Sequence, residues 1–304
     1  MKRSGVRFPS PAPSQHIKRT MDRFKLSPGY SIVRLQDLQA SEQEKLLPMI
    51  FALAREQYPE WPAERSENWM KALHGGNENG TKMAASLVLN PHGKLEGLSA
   101  LELYSNGTAI INYSVASKSS SHYMALIYAA TKDMMAGVRA WQLRGEIIDF
   151  VAKEHHLNSD RAVAGYYAVG QVPIDGPTSL LSAKIKYYEV AYGDPKDVGN
   201  QARIDHAMML ADPKTGINQD EVVHLWLIQD FIPSHPGKPL ADLLRIFAES
   251  YAREHSIYRE LDHRLDPGYI SLHRIADHLP ADATYQQAVQ ASACGAAKFM
   301  GLDT

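Results

Sequence analysis

The sequence is poor in the features that mark secreted, membrane and nucleic-acid-binding proteins. Cys294 is the single cysteine among 304 residues, so no disulfide can form within the chain. No apolar run approaches the roughly 18–20 residues that span a bilayer. A formal net charge of −2 gives no electrostatic reason to expect a nucleic-acid partner. We therefore expect a protein of the reducing cytoplasm that binds neither membranes nor nucleic acids.

Several well-known catalytic signatures are also missing. The chain contains no G-x-S-x-G segment, no Walker phosphate loop and no H-E-x-x-H pair. These absences argue against a serine hydrolase, a nucleotide-hydrolysing enzyme and a zincin, respectively. The C-terminal histidines have no metal-ligand spacing, so we expect no metal and predict that these histidines lie on the surface. They are His255, His263, His273 and His278.

Residues 1–20 differ in composition from the rest of the chain. They are basic, rich in proline and serine, and without the apolar core of a secretory signal peptide. The string SGVRFPSPAP resembles the translated 3′ end of a bacterial tRNA gene, which predicts that the true start is Met21. A disordered tail that belongs to the protein is the alternative.

Periodicity predicts a regular series of elements after this tail. Predicted strands cover residues 30–35, 84–90, 97–104, 108–116, 146–151, 184–192 and 204–210, and predicted helices cover 38–58, 66–74, 121–140 and 158–170. The order β-α-α-β-β-β-α-β-α-β-β indicates a mixed α/β sheet with helices on both faces.

Further helices are predicted over residues 219–231, 240–258, 270–279 and 283–300. The chain thus divides into the tail 1–20, a domain over 21–213 and a helical C-terminal extension over 214–304. The extension is either an appendage packed on the domain or a dimerisation element, which would make the protein a homodimer.

Residues 158–170 carry the most informative pattern, NSDRAVAGYYAVG. Arg161, Tyr166 and Gly170 stand at offsets of five and nine. This spacing, together with the element order, resembles the R-A-x-x-x-Y-x-x-x-G segment of the GNAT superfamily of N-acyltransferases. The resemblance covers roughly residues 30–213 and implies a GNAT-like, mostly antiparallel sheet. It also implies transfer of an acetyl or other acyl group from acyl-CoA to an amine of a small molecule or peptide.

The resemblance assigns Tyr166 as the general acid, because the family's tyrosine points at the sulfur of coenzyme A. A phenol with a pKa near 10 is matched to a thiol leaving group. Tyr167 is the adjacent alternative, and both tyrosines can equally be core residues of an amphipathic helix. Asn158 would contact pantetheine or cap the helix, and Arg161 would make a structural or phosphate-side contact.

By the same resemblance, the fourth and fifth strands splay apart and the pantetheine arm lies between them like an extra strand. The backbone of three residues in the fourth strand would receive it and polarise the thioester carbonyl. These residues are Tyr113, Ser114 and Val115.

The family's pyrophosphate loop, Arg/Gln-x-x-Gly-x-Gly/Ala, corresponds to SKSSSHYMA at residues 117–125, where two of its characteristic residues are replaced. Three hypotheses remain open. A serine-rich helix start can still bind phosphate, through Lys118, Ser119, Ser120, Ser121 and His122. Alternatively, the acyl donor is an acyl carrier protein, or the fold is a binding module without turnover. The serines can also simply cap a helix.

A general base is expected near the acceptor amine. Glu102 in the third predicted strand is one candidate, and Asp149 is another because it interrupts the apolar run EIIDFV. Either carboxylate can instead be a satisfied structural charge. His155 and His156, at the end of the fifth strand, are further candidates because histidine titrates near neutral pH.

Overall fold

The computed structural model describes residues 26, 28–57, 63–120, 123–156, 171–173, 184–186, 222–255, 262–265 and 267–290. The tail 1–20, the predicted helix 158–170 and the predicted strand 204–210 lie outside these ranges. The site predictions for Ser121, His122, Asn158, Arg161 and Tyr166 therefore lie outside the described residues as well.

The elements follow the predicted order closely. The first half contains strands β1 (Ser31–Arg34), β2 (Lys82–Leu89), β3 (Leu95–Leu103), β4 (Thr108–Ala116) and β5 (Phe150–His156), and helices α1 (Ala40–Gln57), α2 (Ala63–Leu73) and α3 (Tyr123–Leu143). The second half contains β6 (Gln171–Pro173), β7 (Lys184–Lys186), β8 (Val222–Ile228), α4 (Leu240–His255) and α5 (Pro267–His278). Residues 285–290 are also helical.

One mixed sheet contains all eight described strands. Its order is β1-β2-β3-β4-β5-β8-β6, and β7 also pairs with β8. Among the described strands, β4 and β5 are parallel, and the other neighbours are antiparallel. The predicted mixed, mostly antiparallel sheet is therefore confirmed.

The hairpins form where the turn chemistry predicts them. The Asn90 side chain accepts hydrogen bonds from the backbone N–H groups of His92 and Lys94. At the next turn, Asn106 accepts from the N–H of Thr108. Gly107 has a φ of 80° and lies against the carbonyl of Ile147, where a Cβ would come within 2.8 Å. These contacts fix the register of β3 and β4.

Helices cover both faces of the sheet. Leu98 and Ala100 of β3 pack in one cluster with α1 and α2, through residues such as Leu47 and Trp69. Ser99, which points to the opposite face because strand side chains alternate, lies next to Thr131 of α3. Helix α3 therefore covers the face opposite α1 and α2.

The predicted helix over residues 219–231 is wrong, because this segment contains strand β8. Its sequence VVHLWLI is an apolar run with little alternation, and such runs suit strands buried on both faces. Leu225, Trp226 and Leu227 are fully buried. The C-terminal extension thus contributes a strand to the sheet before its helices α4 and α5, while the domain division at residue 213 stays a prediction.

The fifth strand begins later than the predicted 146–151. Residues 146–149 form a loop in which the N–H of Ile148 bonds to Ser234 Oγ and the N–H of Asp149 bonds to the Gly107 carbonyl. These contacts occupy backbone groups that a strand would use. Strand β5 consequently starts at Phe150, after Asp149, and ends with His155 and His156.

Candidate functional site

The pairing between parallel strands β4 and β5 is short. It joins Thr108–Ile111 to Phe150–Lys153. Beyond this point β4 continues along β3 to Ala116, whereas β5 continues along β8 to His156. We call the region between residues 112–116 of β4 and 154–156 of β5 the strand gap.

A bulge marks the start of the strand gap. Leu101 of β3 pairs with Ile111, whereas Ala100 pairs with Tyr113, so Asn112 is an inserted residue in β4. Bulges bend the strand that carries them and increase its twist. The insertion therefore lies where β4 stops pairing with β5, a place at which an extended ligand can pair with strand backbone.

The predicted backbone-binding residues line the β4 side of the strand gap. The Tyr113 ring meets Trp69 edge-on, with ring centroids 6.4 Å apart. Ser114 is half-buried on the opposite face, and its Oγ lies 3.0 Å from that of Ser99. Val115 is buried against the α1–α2 cluster. Packing on both faces therefore holds this part of β4 in place.

A serine turn joins β4 to α3. The N–H of Ser117 donates to the carbonyl of Glu96 at 2.8 Å, and the N–H of Ser120 donates to the Ser117 carbonyl at 3.0 Å. The hydroxyls of Ser117 and Ser119 are 2.8 Å apart. Ser119 is exposed and Ser120 half-buried. The turn thus places Ser119 and Ser120, two of the five predicted phosphate ligands, just before a 21-residue helix, whose N-terminus favours anions.

Glu102 is buried on the face of β3 that also carries Ala100, the partner of Tyr113. Its Oε2 lies 2.8 Å from Nε2 of His255, and the Tyr104 hydroxyl donates to the same oxygen at 3.3 Å. His255 is therefore no surface residue, contrary to the prediction, since its side chain is 12% exposed. The pair joins a candidate base to the C-terminal end of α4.

Asp149 lies at the other end of the strand pair. It precedes Phe150, whose partner Thr108 begins β4. Lys238 Nζ donates to its carboxylate at 2.6 Å, and the backbone N–H of His235 does so at 2.7 Å. Burial opposes ionisation, but these bonds outweigh it and lower the pKa of Asp149. The structure does not bring Asp149 together with residues 113–115.

Lys153 is a polar residue that the sequence reasoning missed. It is the last β5 residue paired with β4, is fully buried, and donates from Nζ to Thr131 Oγ1 at 2.8 Å. Burial lowers the pKa of Lys153 to about 7. Its position two residues after Val151, on the same strand face, was the available signal. The signal was missed because the predicted fifth strand ended at Val151.

Neither a metal-binding cluster nor a membrane-spanning helix is found among the described residues. No group of three or more His, Cys, Asp and Glu side chains there could hold a metal ion. No helix in the described part of the chain is long and apolar enough to cross a membrane.

No protein-family model and no curated protein sequence matches the chain. Similar solved structures include an acetyltransferase from Streptococcus agalactiae, with 12% identity, a TM-score of 0.39, and 66% of this chain and 100% of that chain covered. GCN5 from Tetrahymena has 11% identity and a TM-score of 0.34, with 67% and 99% covered.

A tandem GNAT protein from the clavulanic acid biosynthesis pathway has 13% identity and a TM-score of 0.32. The match covers 48% of this chain and 42% of the tandem protein, so the chain spans less than half of that protein. All three TM-scores are low, so these likenesses carry no argument about the function of this chain.

Proposed function

We propose that the protein is a GNAT-type N-acyltransferase that binds an acyl thioester in the strand gap. The observation that carries this proposal is the end of β4–β5 pairing at Ile111 and Lys153. A pantetheine arm has amide groups at intervals, so it can form hydrogen bonds with strand backbone as an added strand does. The thioester carbonyl would then lie against the backbone of residues 113–115.

Acyl transfer to an amine needs a neutral amine and a proton for the departing thiolate. We assign Tyr166 as the acid that protonates the thiolate. We assign Glu102 as the base that keeps the amine neutral; its carboxylate is buried and hydrogen-bonded to His255. Glu102 lies on the strand face that Tyr113 shares, so an amine approaching from this face would reach both the carboxylate and the thioester. The acceptor would be an amine of a small molecule or peptide.

The choice between acyl-CoA and an acyl carrier protein as donor depends on what the serine turn can bind. Serine hydroxyls, Lys118 and the N-terminus of α3 offer hydrogen bonds and positive potential to the phosphates of acyl-CoA. An acyl carrier protein presents phosphopantetheine without adenosine diphosphate and would need fewer of these contacts. The second candidate function is a binding module without turnover. Ser120 and Tyr123 favour it, because they stand where the family's loop has Arg or Gln and its middle glycine.

Calorimetry with three donors tests the proposal. We expect acetyl-CoA to bind more tightly than acetyl-pantetheine, because pantetheine lacks the phosphates that the serine turn would contact. Tighter binding of an acyl carrier protein would instead identify the carrier as donor. Release of free thiol in the presence of a panel of primary amines then separates an enzyme from a binding module. Absence of binding by all three donors would refute the proposed function.

A further inference from the structure

A chain of hydroxyl groups leads from the buried amine of Lys153 to the strand gap. Lys153 Nζ is 2.8 Å from Thr131 Oγ1, and Thr131 Oγ1 is 3.4 Å from Ser99 Oγ. Ser99 Oγ is 3.0 Å from Ser114 Oγ. Lys153, Thr131 and Ser99 are buried, whereas Ser114 is half-buried. The four groups thus connect the interior to the β4 side of the gap.

The hydroxyls of Thr131, Ser99 and Ser114 can each donate one hydrogen bond and accept another. A protonated Lys153 donates to Thr131, and a neutral Lys153 can accept from it. Ser114 and Ser99 face each other on adjacent strands, so β-sheet pairing fixes their separation. Helix α3 supplies Thr131 from above the same face. The three hydroxyls therefore lie on three different elements, β3, β4 and α3.

We propose that Thr131, Ser99 and Ser114 form a proton relay through which Lys153 exchanges a proton with the strand gap. The function of this relay rests on the proposed acyl transfer. Glu102 would remove one proton from an acceptor amine that arrives protonated, and the nitrogen must lose a second proton after it attacks the thioester carbonyl. Ser114 would take up that proton and pass its own to Ser99, which passes one to Thr131, which passes one to Nζ. Every hydroxyl ends with one proton, and Lys153 becomes positively charged.

The residues that pair with Lys153 on the two neighbouring strands are hydrophobic. Strand β8 places Trp226 beside Lys153, and β4 places Ile111 there. On α3, Asp133 is bound by Arg34 at 2.8 Å and by Ser86 at 2.8 Å. Also on α3, the pKa of Tyr128 is raised by burial and by Asp230.

Among the described residues, the hydrogen-bond partner of Nζ is a hydroxyl and not a carboxylate. Burial brings the pKa of this amine to about 7. Lys153 can therefore take up and release a proton near neutral pH. Lys153 acts on the substrate only through the hydroxyls of the relay and does not touch the substrate itself.

The decisive variant is Ser99→Ala, which removes the middle hydroxyl without touching Nζ. NMR of lysine-labelled protein, with the Lys153 signal assigned by its loss in Lys153→Met, reports both titration and proton exchange. We expect Ser99→Ala to keep the titration near pH 7 but to slow exchange of the Nζ protons at least about tenfold, because exchange must then await local opening. Thr131→Ser keeps a hydroxyl and should exchange at the wild-type rate, whereas Thr131→Val should not.

This measurement needs no substrate, so it can fail independently of the proposed function. Unchanged exchange in Ser99→Ala, or a Lys153 that does not titrate near neutral pH, would overturn the relay even in an active enzyme. Missing donor binding would remove the acyl-transfer role and leave the exchange result standing. In an active enzyme, Ser99→Ala should lower kcat about tenfold at neutral pH, below the usual contribution of a direct acid or base. The Thr131→Ser enzyme should keep the wild-type dependence of kcat on pH.

Discussion

Glu102 Oε2 and His255 Nε2 lie 2.8 Å apart and join β3, inside the sheet, to the last residue of α4. Both side chains are largely buried, at 10% and 12% exposure. Tyr251, one turn earlier on α4, packs against the His255 ring in a tilted arrangement with centroids 4.8 Å apart. The candidate base is thus held by the C-terminal part of the chain.

We predict that His255→Ala lowers the free energy of unfolding by about 1–3 kcal/mol, because a buried carboxylate loses a hydrogen-bond partner. Urea unfolding at neutral pH measures the change. In a Glu102→Gln background the same substitution should cost less, since no charge is left uncompensated.

His263→Ala is the matched control, because its partner Glu249 is 41% exposed. We expect it to lower stability by less than about 1 kcal/mol, as for exposed ion pairs. Equal losses in both alanine variants would show that burial of the Glu102–His255 pair adds nothing.

Lys153→Met should change how stability depends on pH. Burial lowers the pKa of Lys153 from 10.5 to about 7, so the unfolded chain binds more protons than the folded chain between these values. Wild-type stability should therefore rise with pH across this window, and the burial cost should be fully present below pH 7. The methionine variant should lack this rise and be more stable at pH 7 by about 1–4 kcal/mol.

The control for this experiment is Lys82→Met. Lys82 is 47% exposed and pairs with Glu146, which is 42% exposed. We expect a change within about 0.5 kcal/mol and no altered pH slope, as for other surface substitutions. A Lys153→Met protein whose pH dependence matches the wild type would contradict the lowered pKa.

Asp149→Asn tests whether this carboxylate is structural. Its bonds to Lys238 and His235 lower its pKa, so its contribution to stability is present above about pH 4 and is lost as the pH falls further. We expect the variant to be about 1–3 kcal/mol less stable at neutral pH and to lose less stability than the wild type on acidification. Acyl transfer that vanishes while stability is unchanged would instead make Asp149 the base.

Tyr166→Phe tests the general acid. We expect it to slow acyl transfer by about ten- to a hundredfold or more, since it removes the proton donor to the thiolate. Tyr167→Phe is a control from the adjacent position and should retain the wild-type rate. A slower Tyr167→Phe enzyme with normal Tyr166→Phe turnover would transfer the role to Tyr167.

Local patterns were enough to predict much of the fold. The meander β2–β4 follows from alternation and from turn residues such as Asn90 and Asn106, which act within a few positions. Strand β8 was mistaken for a helix because VVHLWLI has no clear period, and only its distant partner β5 distinguishes the two structures.

The site was less predictable for the same reason. Glu102 was a candidate base from its place in the third predicted strand, but its partner His255 is 153 positions away. A helical spacing of four from the buried Tyr251 was a usable sign that His255 faces inward. The relay to Lys153 uses ordinary residues from three elements, so no single segment of sequence contains its pattern.

The place of β8 in the sheet has a kinetic consequence. One edge of β5 pairs with β4, which is near in sequence. The other edge can pair only with β8, whose residues come about 70 positions later. During synthesis, β5 is therefore finished well before the strand that covers it. We expect a slow folding phase that reports β5–β8 docking, and a chain shortened before residue 222 should expose β5 as an edge that aggregates.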